Sequence, residues 1–165
     1  MMHQRSHVPQ RGSLVGDIEV TKVRTPAEME EALTVRRRVF IDEQGVPEDE
    51  EIDRYDEDPA SVTGAVQVLG RLDGVPVATG RLLLDTGDRY PHVGRIAVLA
   101  EHRRCGFGRA IMDALHAEAR ARGLPGITLA AQLHAVPFYE RLGYVARGEV
   151  FLDAGIDHRW MDITL

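Results

Sequence analysis

The sequence predicts an α+β fold with three layers (α/β/α), in which helices cover both faces of a central sheet. Three observations support this prediction. The segment from His92 to Arg122 consists of a β-branched strand, a glycine loop and a long helix in succession. The dipeptide Asp73-Gly74 between two apolar runs is a strong hairpin signal. The predicted order is strand, helix, three antiparallel strands, long helix, strand, short helix and two strands, so the sheet is expected to be mixed and mostly antiparallel.

Chain length and composition limit the class of protein. A chain of 165 residues suits one domain that can bury a core without disulfides. Residues 1–16 are polar and lack the apolar stretch of a secretory signal, so they are predicted to form a disordered tail before a single domain at 17–165. No segment approaches the ~20 apolar residues of a membrane span, which predicts a cytoplasmic protein without a membrane partner.

Charge and reactive side chains argue against several other function classes. The net charge of −6 disfavours nonspecific binding to nucleic acid. Cys105 is the single cysteine and the histidines are scattered, so neither a disulfide nor a metal site is expected.

The first predicted strand, Ile18 to Val23, leads into a helix with clear start signals. Thr25 is the N-cap, Pro26 takes the first helical position and Glu28 is placed for a capping box. The inward face of this helix repeats every three or four residues, at Met29, Ala32, Leu33, Arg36 and Phe40. The helix is expected to end near Arg36 to Arg38, where its dipole favours cations.

The remaining elements are indicated by alternating apolar residues and by turn residues. Strands are predicted at Val62 to Leu72, Pro76 to Leu84, His92 to Val98, Ile127 to Gln132, Val145 to Leu152 and His158 to Thr164. A short helix is predicted from Ala135 to Tyr144, closed by Gly143.

The glycine loop before the long helix is suited to bind an anion. Gly106 and Gly108 lie where free backbone N–H groups and the helix dipole attract negative charge, and glycine lets a phosphate approach closely. Arg103, Arg104 and Arg109 add guanidinium groups that match phosphate geometry. The P-loop pattern is absent, and the Rossmann pattern fails because Ile111 replaces its third glycine. The bland alternative is a solvated, arginine-rich turn.

Two motifs resemble the GNAT superfamily of acetyl-coenzyme A dependent N-acyltransferases. Arg103-x-x-Gly106-x-Gly108, after the strand Arg95 to Val98, resembles the pyrophosphate loop of that superfamily. The run from Gln132 to Tyr144 resembles its second signature, N-x-x-A-x-x-F-Y-x-x-x-G-F, with Gln in place of Asn and Tyr in place of the last Phe. A third segment, Val39-Phe40-x-x-Glu43-Gln44-x-x-Pro47, resembles one uncharacterised branch of the superfamily.

The resemblance implies a splayed sheet that holds acetyl-coenzyme A as co-substrate. Backbone groups of Ile96 and Val98 would pair with the pantetheine arm, and Tyr139 would be the general acid that protonates the departing thiolate. The implied cofactor residues are Ile96, Ala97, Val98, Arg103, Arg104, Cys105, Gly106, Phe107, Gly108, Arg109, Gln132 and Phe138. The alternative for Tyr139 is packing without chemistry. A ping-pong role for Cys105 is disfavoured because it lies in the phosphate loop.

The segment from Asp42 to Asp58 is dominated by carboxylates, which only Arg54 offsets. Composition alone favours a solvated charged loop, whereas the resemblance places the segment on the acyl-acceptor side. The implied substrate residues are Phe40, Gln44, Glu51 and Asp53. Glu43, Glu51 or Asp53 could take the proton of the acceptor amine, and the sequence does not choose among them.

The resulting prediction is an N-acetyltransferase that moves an acetyl group directly to a primary amine of a small molecule, with the acidic segment tilting the choice toward cations. The main alternative is a non-catalytic acyl-coenzyme A binding or sensing domain. An acyl-homoserine lactone synthase is a further alternative, but its longer chain and substrate elements are not evident. The acceptor could be a polyamine, an aminoglycoside, an amino acid, an amino sugar or a protein N-terminus. The sequence also leaves open whether the protein forms a homodimer.

Overall fold

The computed structural model describes residues 18–165, so the predicted tail at 1–16 lies outside the described residues. A seven-stranded sheet forms the middle layer. Its strands are β1 Ile18–Lys22, β2 Ala65–Leu72, β3 Val75–Leu83, β4 His92–Val98, β5 Gly126–Gln132, β6 Val145–Asp153 and β7 Ile156–Thr164. The α-helices are α1 Pro26–Arg36, α2 Glu48–Glu51, α3 Phe107–Ala121 and α4 Val136–Arg141. Between residues 18 and 165 no helix has the length and apolarity to cross a membrane.

The strand order is β1-β2-β3-β4-β5-β7-β6, and every neighbouring pair is antiparallel except β4 and β5. The parallel pairing of β4 with β5 is limited to His92 with Thr128 and Val93 with Leu129. Beyond these residues the two strands diverge, which opens the centre of the sheet. The predicted mixed, mostly antiparallel and splayed sheet is therefore confirmed.

Both predicted hairpins close with tight turns. Asp73 and Gly74 have φ values of 50° and 79°, and Ala154 and Gly155 have 51° and 74°. Two successive positive φ values are characteristic of the type I′ turn, whose twist matches that of the flanking strands.

One face of the sheet packs against α3, whose apolar side is fully buried. Gly80 on β3 is required at this contact, because a Cβ there would lie 2.6 Å from Ile96 Cδ1 and 2.7 Å from Ile111 Cγ2. Opposite Gly80, the register of β4 shifts by a β-bulge, and Arg95 in the bulge has a φ of 54°. The bulge changes the direction of β4 where the sheet opens.

The other face of the sheet packs against α1, whose α-helical part ends at Arg36, within the predicted range. Thr25 caps α1 and accepts from the Glu28 N–H at 3.1 Å, as expected. The chain then continues directly as a π-helix from Arg37 to Glu43. Arg36 is fully buried, with 0% of its surface exposed. Its charge is balanced by carboxylates of the acidic segment rather than by solvent at a helix end.

Candidate active site

The opening between β4 and β5 is lined by backbone groups without partners in the sheet. The Leu99 N–H donates to the Val77 carbonyl at 2.9 Å, and Ala97 pairs with Thr79 of β3. Alternation along β4 therefore turns the backbone groups of Ile96 and Val98 toward β5. Ala97 is different, because its backbone belongs to the β3 ladder and does not reach the opening.

The loop at the start of α3 forms a concave array of N–H groups. Arg104 and Gly106 have φ values of 62° and 81°, and Gly106 is the N-cap of the helix. No side chain caps this helix, and its first internal bond is Ala110 N–H to Gly106 carbonyl at 3.1 Å. The N–H groups of the first turn are therefore free to bind an anion, and the helix dipole adds positive potential.

Arg103 connects this loop to two other parts of the site. Its Nη2 lies 2.9 Å from a Glu43 carboxylate oxygen, and its Nε donates to the Val98 carbonyl at 3.0 Å. Glu43, one of the three candidate bases, is therefore ion-paired with Arg103 of the loop. Arg104 and Arg109 are exposed, Cys105 is half-buried, and Phe107 is buried in the main core.

Two glutamines that were predicted for opposite sides of the site bind each other. Gln44 Nε2 donates to Gln132 Oε1 at 3.2 Å, and Gln132 Nε2 donates to Gln44 Oε1 at 2.8 Å. This reciprocal amide pair joins the end of the π-helix to the end of β5. The longer Gln, where the related motif has Asn, therefore has a specific partner in this chain.

Tyr139 lies in an aromatic cluster at the beginning of α4. Its ring centroid is 5.0 Å from that of Phe138 and 5.8 Å from that of Tyr144. Burial raises the pKa of Tyr139 above its ordinary value, and its hydroxyl makes no hydrogen bond with any residue of the described range. The Tyr144 hydroxyl differs, because it lies 2.7 Å from His116 Nε2. The Tyr139 hydroxyl is thus a protonated donor without a structural partner.

The acidic segment is solvated only in part: Asp42, Glu43, Glu48, Asp49, Glu50, Glu57 and Asp58 are exposed, as composition favours, but others are not. Glu51 and Asp56 are buried, with 3% and 8% of their surfaces exposed. Arg36 contacts Glu51 at 2.9 Å and Asp56 at 2.6 Å. We call the neutralised group the ionic cluster; its members are Arg36, Glu51, Asp53, Asp56, Arg81 and Arg95.

The ionic cluster contains both Glu51 and Asp53, which were predicted to face substrate. Asp53 pairs with Arg81 at 2.6 Å, and Arg95 Nε lies 3.2 Å from Glu51 Oε1. Burial raises the pKa of Glu51 despite these arginines, and burial followed by repulsion from Arg81 lowers the pKa of Arg95. The carboxylates of Glu51 and Asp53 therefore serve internal ion pairs, and substrate binding by them stays a prediction. Phe40 is half-buried and packs against the main core.

The sequence did not point to Arg36, Arg81 or Arg95 as part of this region. Arg81 and Arg95 lie 28 and 44 residues from Asp53 and Glu51 respectively, so their contacts depend on the sheet register. One signal was available in the sequence: Arg81 lies within a predicted apolar strand. An arginine that is buried in this way requires a charged partner.

Comparisons with known proteins agree with this geometry. A family model described as an acetyltransferase (GNAT) domain matches residues 67–165. The uncharacterized N-acetyltransferase YjcF of Bacillus subtilis is 40% identical over 136 residues, which cover 81% of this chain and 91% of YjcF. An acyl-CoA N-acyltransferase of Pseudomonas aeruginosa has a solved structure that matches with a TM-score of 0.74 at 30% identity, covering 88% of this chain and 98% of that one. The PaiA N-acetyltransferase of Thermoplasma acidophilum, solved in complex with coenzyme A, shares the fold with a TM-score of 0.67 at 13% identity, covering 90% and 99%.

Proposed function

Because the chain belongs to the GNAT family of acetyltransferases, we propose that it transfers an acetyl group directly from acetyl-coenzyme A to a primary amine of a small molecule. The observation that carries the proposal is the opening between β4 and β5 with a free helix N-terminus at its edge. Such an opening can take an extended amide chain as if it were another strand, while the helix start takes its phosphates.

The residues present fit coenzyme A. Ile96 and Val98 offer backbone groups to the pantetheine amides, and the N–H groups of Phe107 to Arg109 offer donors to the pyrophosphate. Arg104 and Arg109 supply positive charge at the surface of the loop. The coenzyme A complex of the Thermoplasma acidophilum protein supports the same use of this fold. When bound, the thioester provides an activated acyl carbon.

Tyr139 is proposed to donate the proton that the departing thiolate requires. A thiol has an ordinary pKa of about 8.5 and a phenol of about 10, and burial raises the pKa of Tyr139 further. The phenol therefore stays protonated at working pH. Burial also raises the pKa of the coenzyme A thiol, because it disfavours the charged thiolate as it disfavours the charged phenolate. The two effects offset each other, so burial does not by itself prevent proton transfer from Tyr139 to the thiolate.

The decisive experiment combines cofactor binding with product detection. Coenzyme A and acetyl-coenzyme A should raise the melting temperature of the protein, and mass spectrometry should detect acetylated amine from a panel of primary amines. Cofactor binding without any acetylated product would instead support the non-catalytic sensing domain. If the protein binds neither cofactor and forms no acetylated product, the proposed function is refuted.

A glycine pair tests the loop assignment. Gly106→Ala should weaken stabilisation by coenzyme A, because the residue must keep its φ of 81° at the start of α3. Gly123→Ala is the matched control, since Gly123 has a φ of 69° just after the other end of α3. If both variants lose coenzyme A binding equally, the loss is due to backbone strain in α3 and the assignment of the loop is not supported.

A further inference from the structure

A row of four aromatic rings crosses the part of the sheet formed by β4, β7 and β6. Trp160 lies 5.6 Å from His92 and 5.2 Å from Phe151, and Phe151 lies 5.9 Å from His158, all measured between ring centroids. Met161 of β7 is fully buried in the main core. Because side chains alternate between the two faces of a strand, Trp160 and His158 lie on the opposite face from Met161. We call the surface carrying these four rings the aromatic groove.

The aromatic groove connects the opening in the sheet to a cavity. His158 lies opposite Gln132, at the splayed end of β5, and Trp160 lies opposite Ala130. Farther along, Trp160 also lines a cavity of about 480 Å³, together with Tyr90 and Thr128. A Cβ built on Gly94 of β4 would meet no atom within 4 Å, so the neighbouring part of β4 faces open space. The volume falls within the range of about 300–1,000 Å³ typical of small-molecule sites.

The charged groups beside the cavity are largely engaged with one another. Asp162 accepts from Thr128 and, at 2.7 Å, from Arg147 Nε. His92 Nε2 lies 2.6 Å from an Asp88 carboxylate oxygen. Arg147 Cζ also lies 5.6 Å from the centroid of the Trp160 ring, and Arg89 Cζ lies 5.0 Å from that of Tyr90. A ligand in the cavity therefore meets these two rings beside their guanidinium groups, and aromatic rings select flat apolar groups.

His158 is oriented to accept a proton. Its Nδ1 lies 2.7 Å from the Ile156 carbonyl, which can only accept, so in the neutral ring Nδ1 carries the hydrogen and Nε2 keeps a lone pair. No described residue hydrogen-bonds Nε2, and Nε2 is not among the fully buried unpartnered atoms. The groups beside the ring are neutral: Phe151 from β6 stacks on it, and Gln132 from β5 lies opposite with its partner Gln44. No carboxylate of the described residues lies within 4 Å of its nitrogens.

We propose that the aromatic groove binds the acyl acceptor, that the acceptor is a primary amine on a flat apolar body, and that His158 Nε2 is its proton acceptor. This inference rests on the proposed acetyl transfer. In the reaction, the amine nitrogen bonds to the acyl carbon, the carbon–sulfur bond breaks, His158 takes the proton that the nitrogen loses, and the thiolate sulfur is protonated. Trp160 then acts as the platform that holds the body of the amine.

Binding can be measured directly because Trp160 is the single tryptophan of the chain. Titration with 2-phenylethylamine should change the tryptophan fluorescence saturably. The non-planar 2-cyclohexylethylamine should bind about 2- to 12-fold more weakly, which corresponds to the ~0.5–1.5 kcal/mol of an aromatic pair. Equal affinities for the two amines, or no saturable change with either, would overturn the assignment of the groove.

Kinetics then separate the platform from a general structural role. Trp160→Phe should raise the KM for 2-phenylethylamine with little change in stabilisation by coenzyme A. The control is Leu152→Ala on β6, whose side chain is 70% exposed and outside the ring row. Spermidine and glucosamine serve as competing acceptors, and a higher kcat/KM for either one would refute the flat apolar class even if transfer itself occurs.

Two substitutions test His158. His158→Asn keeps a donor for the Ile156 carbonyl but lacks a base, and His158→Gln lacks the base as well. Both should lose about 10²-fold in kcat, with coenzyme A binding retained. Near-normal activity in His158→Asn would assign the ring to structure alone. Absence of product from every amine in the parent protein would instead overturn the proposed function, which keeps the two failures distinct.

Discussion

Arg103 uses one guanidinium for two acceptors, the Glu43 carboxylate and the Val98 carbonyl. Both contacts lie where the proposed cofactor needs the same groups: phosphate oxygens compete with Glu43 for the guanidinium, and a pantetheine amide competes for the Val98 carbonyl. Glu43 therefore opposes cofactor binding through its charge. This role differs from that of a general base, which the sequence left open among Glu43, Glu51 and Asp53.

Glu43→Gln should bind coenzyme A more tightly than the parent protein. An exposed ion pair is worth about 0.2–1 kcal/mol, so the gain is expected to be roughly 1.5- to 5-fold in Kd and to shrink as salt rises. Isothermal titration calorimetry at two salt concentrations measures it. Asp42→Asn is the control, because it removes a neighbouring exposed charge that makes no ion pair in the described part of the chain. Weaker binding by Glu43→Gln would mean that the pair shapes the loop instead.

Tyr139→Phe should lower kcat by about 10²–10⁴-fold while leaving stability and coenzyme A affinity close to those of the parent. Stability should change little because the Tyr139 hydroxyl has no hydrogen bond to lose within the described residues. Tyr144→Phe should behave in the opposite way, since it leaves His116 without its partner and costs about 1–3 kcal/mol of stability. Parental turnover by Tyr139→Phe would show that the ring only packs.

At the scale of single elements, local signals were sufficient for prediction. The hairpin at Asp73 and Gly74 and the cap at Thr25 depend on neighbouring residues, so both could be predicted. The partners of Arg36 could not, because they lie 15 and 20 residues farther along the chain. The bulge at Arg95 was missed for a similar reason, as it is set by Gly80 and α3.

Gly80→Ala and Gly94→Ala form a pair on adjacent strands with different expected outcomes. At Gly80 the new Cβ must displace Ile96 and Ile111, which should cost about 1–3 kcal/mol and weaken coenzyme A binding by moving the bulge. At Gly94 the Cβ enters open space, so stability should change little while the KM of the amine rises. Chemical unfolding and steady-state kinetics check both. Comparable losses of stability would contradict the packing described for the two positions.

At the scale of the whole molecule, the ionic cluster joins parts that are far apart in the chain. Arg36 comes from α1, Glu51 and Asp56 from the acidic segment, and Arg81 and Arg95 from β3 and β4. The three arginines balance the three carboxylates of the cluster, whereas the other seven carboxylates between Asp42 and Asp58 are exposed. The acidic segment therefore still favours an amine that carries positive charge, and the aromatic groove is proposed to select among such amines by shape.

Asp56→Asn tests whether the cluster holds the molecule together. It leaves the fully buried Arg36 with less compensating charge and should cost about 3–5 kcal/mol in the free energy of unfolding near neutral pH. Burial opposes ionisation of Asp56, but hydrogen bonds and charge from Arg36 outweigh it and lower the pKa from 3.8 to about 2. Asp58→Asn, at an exposed position of the same segment, should change stability little.

The same shift predicts how stability depends on pH. Because the folded-state pKa of Asp56 is depressed, its contribution is fully present above its unfolded pKa of 3.8 and is lost as the pH falls toward 2. A shift of this size corresponds to about 2 kcal/mol. Glu51 acts in the opposite direction, because burial raises its pKa and its contribution is lost as the pH rises. The free energy of unfolding, measured with denaturant between about pH 6 and pH 3, should therefore fall more steeply with decreasing pH in the parent than in Asp56→Asn. Parallel curves for the two proteins would mean that Asp56 keeps an ordinary pKa in the folded protein.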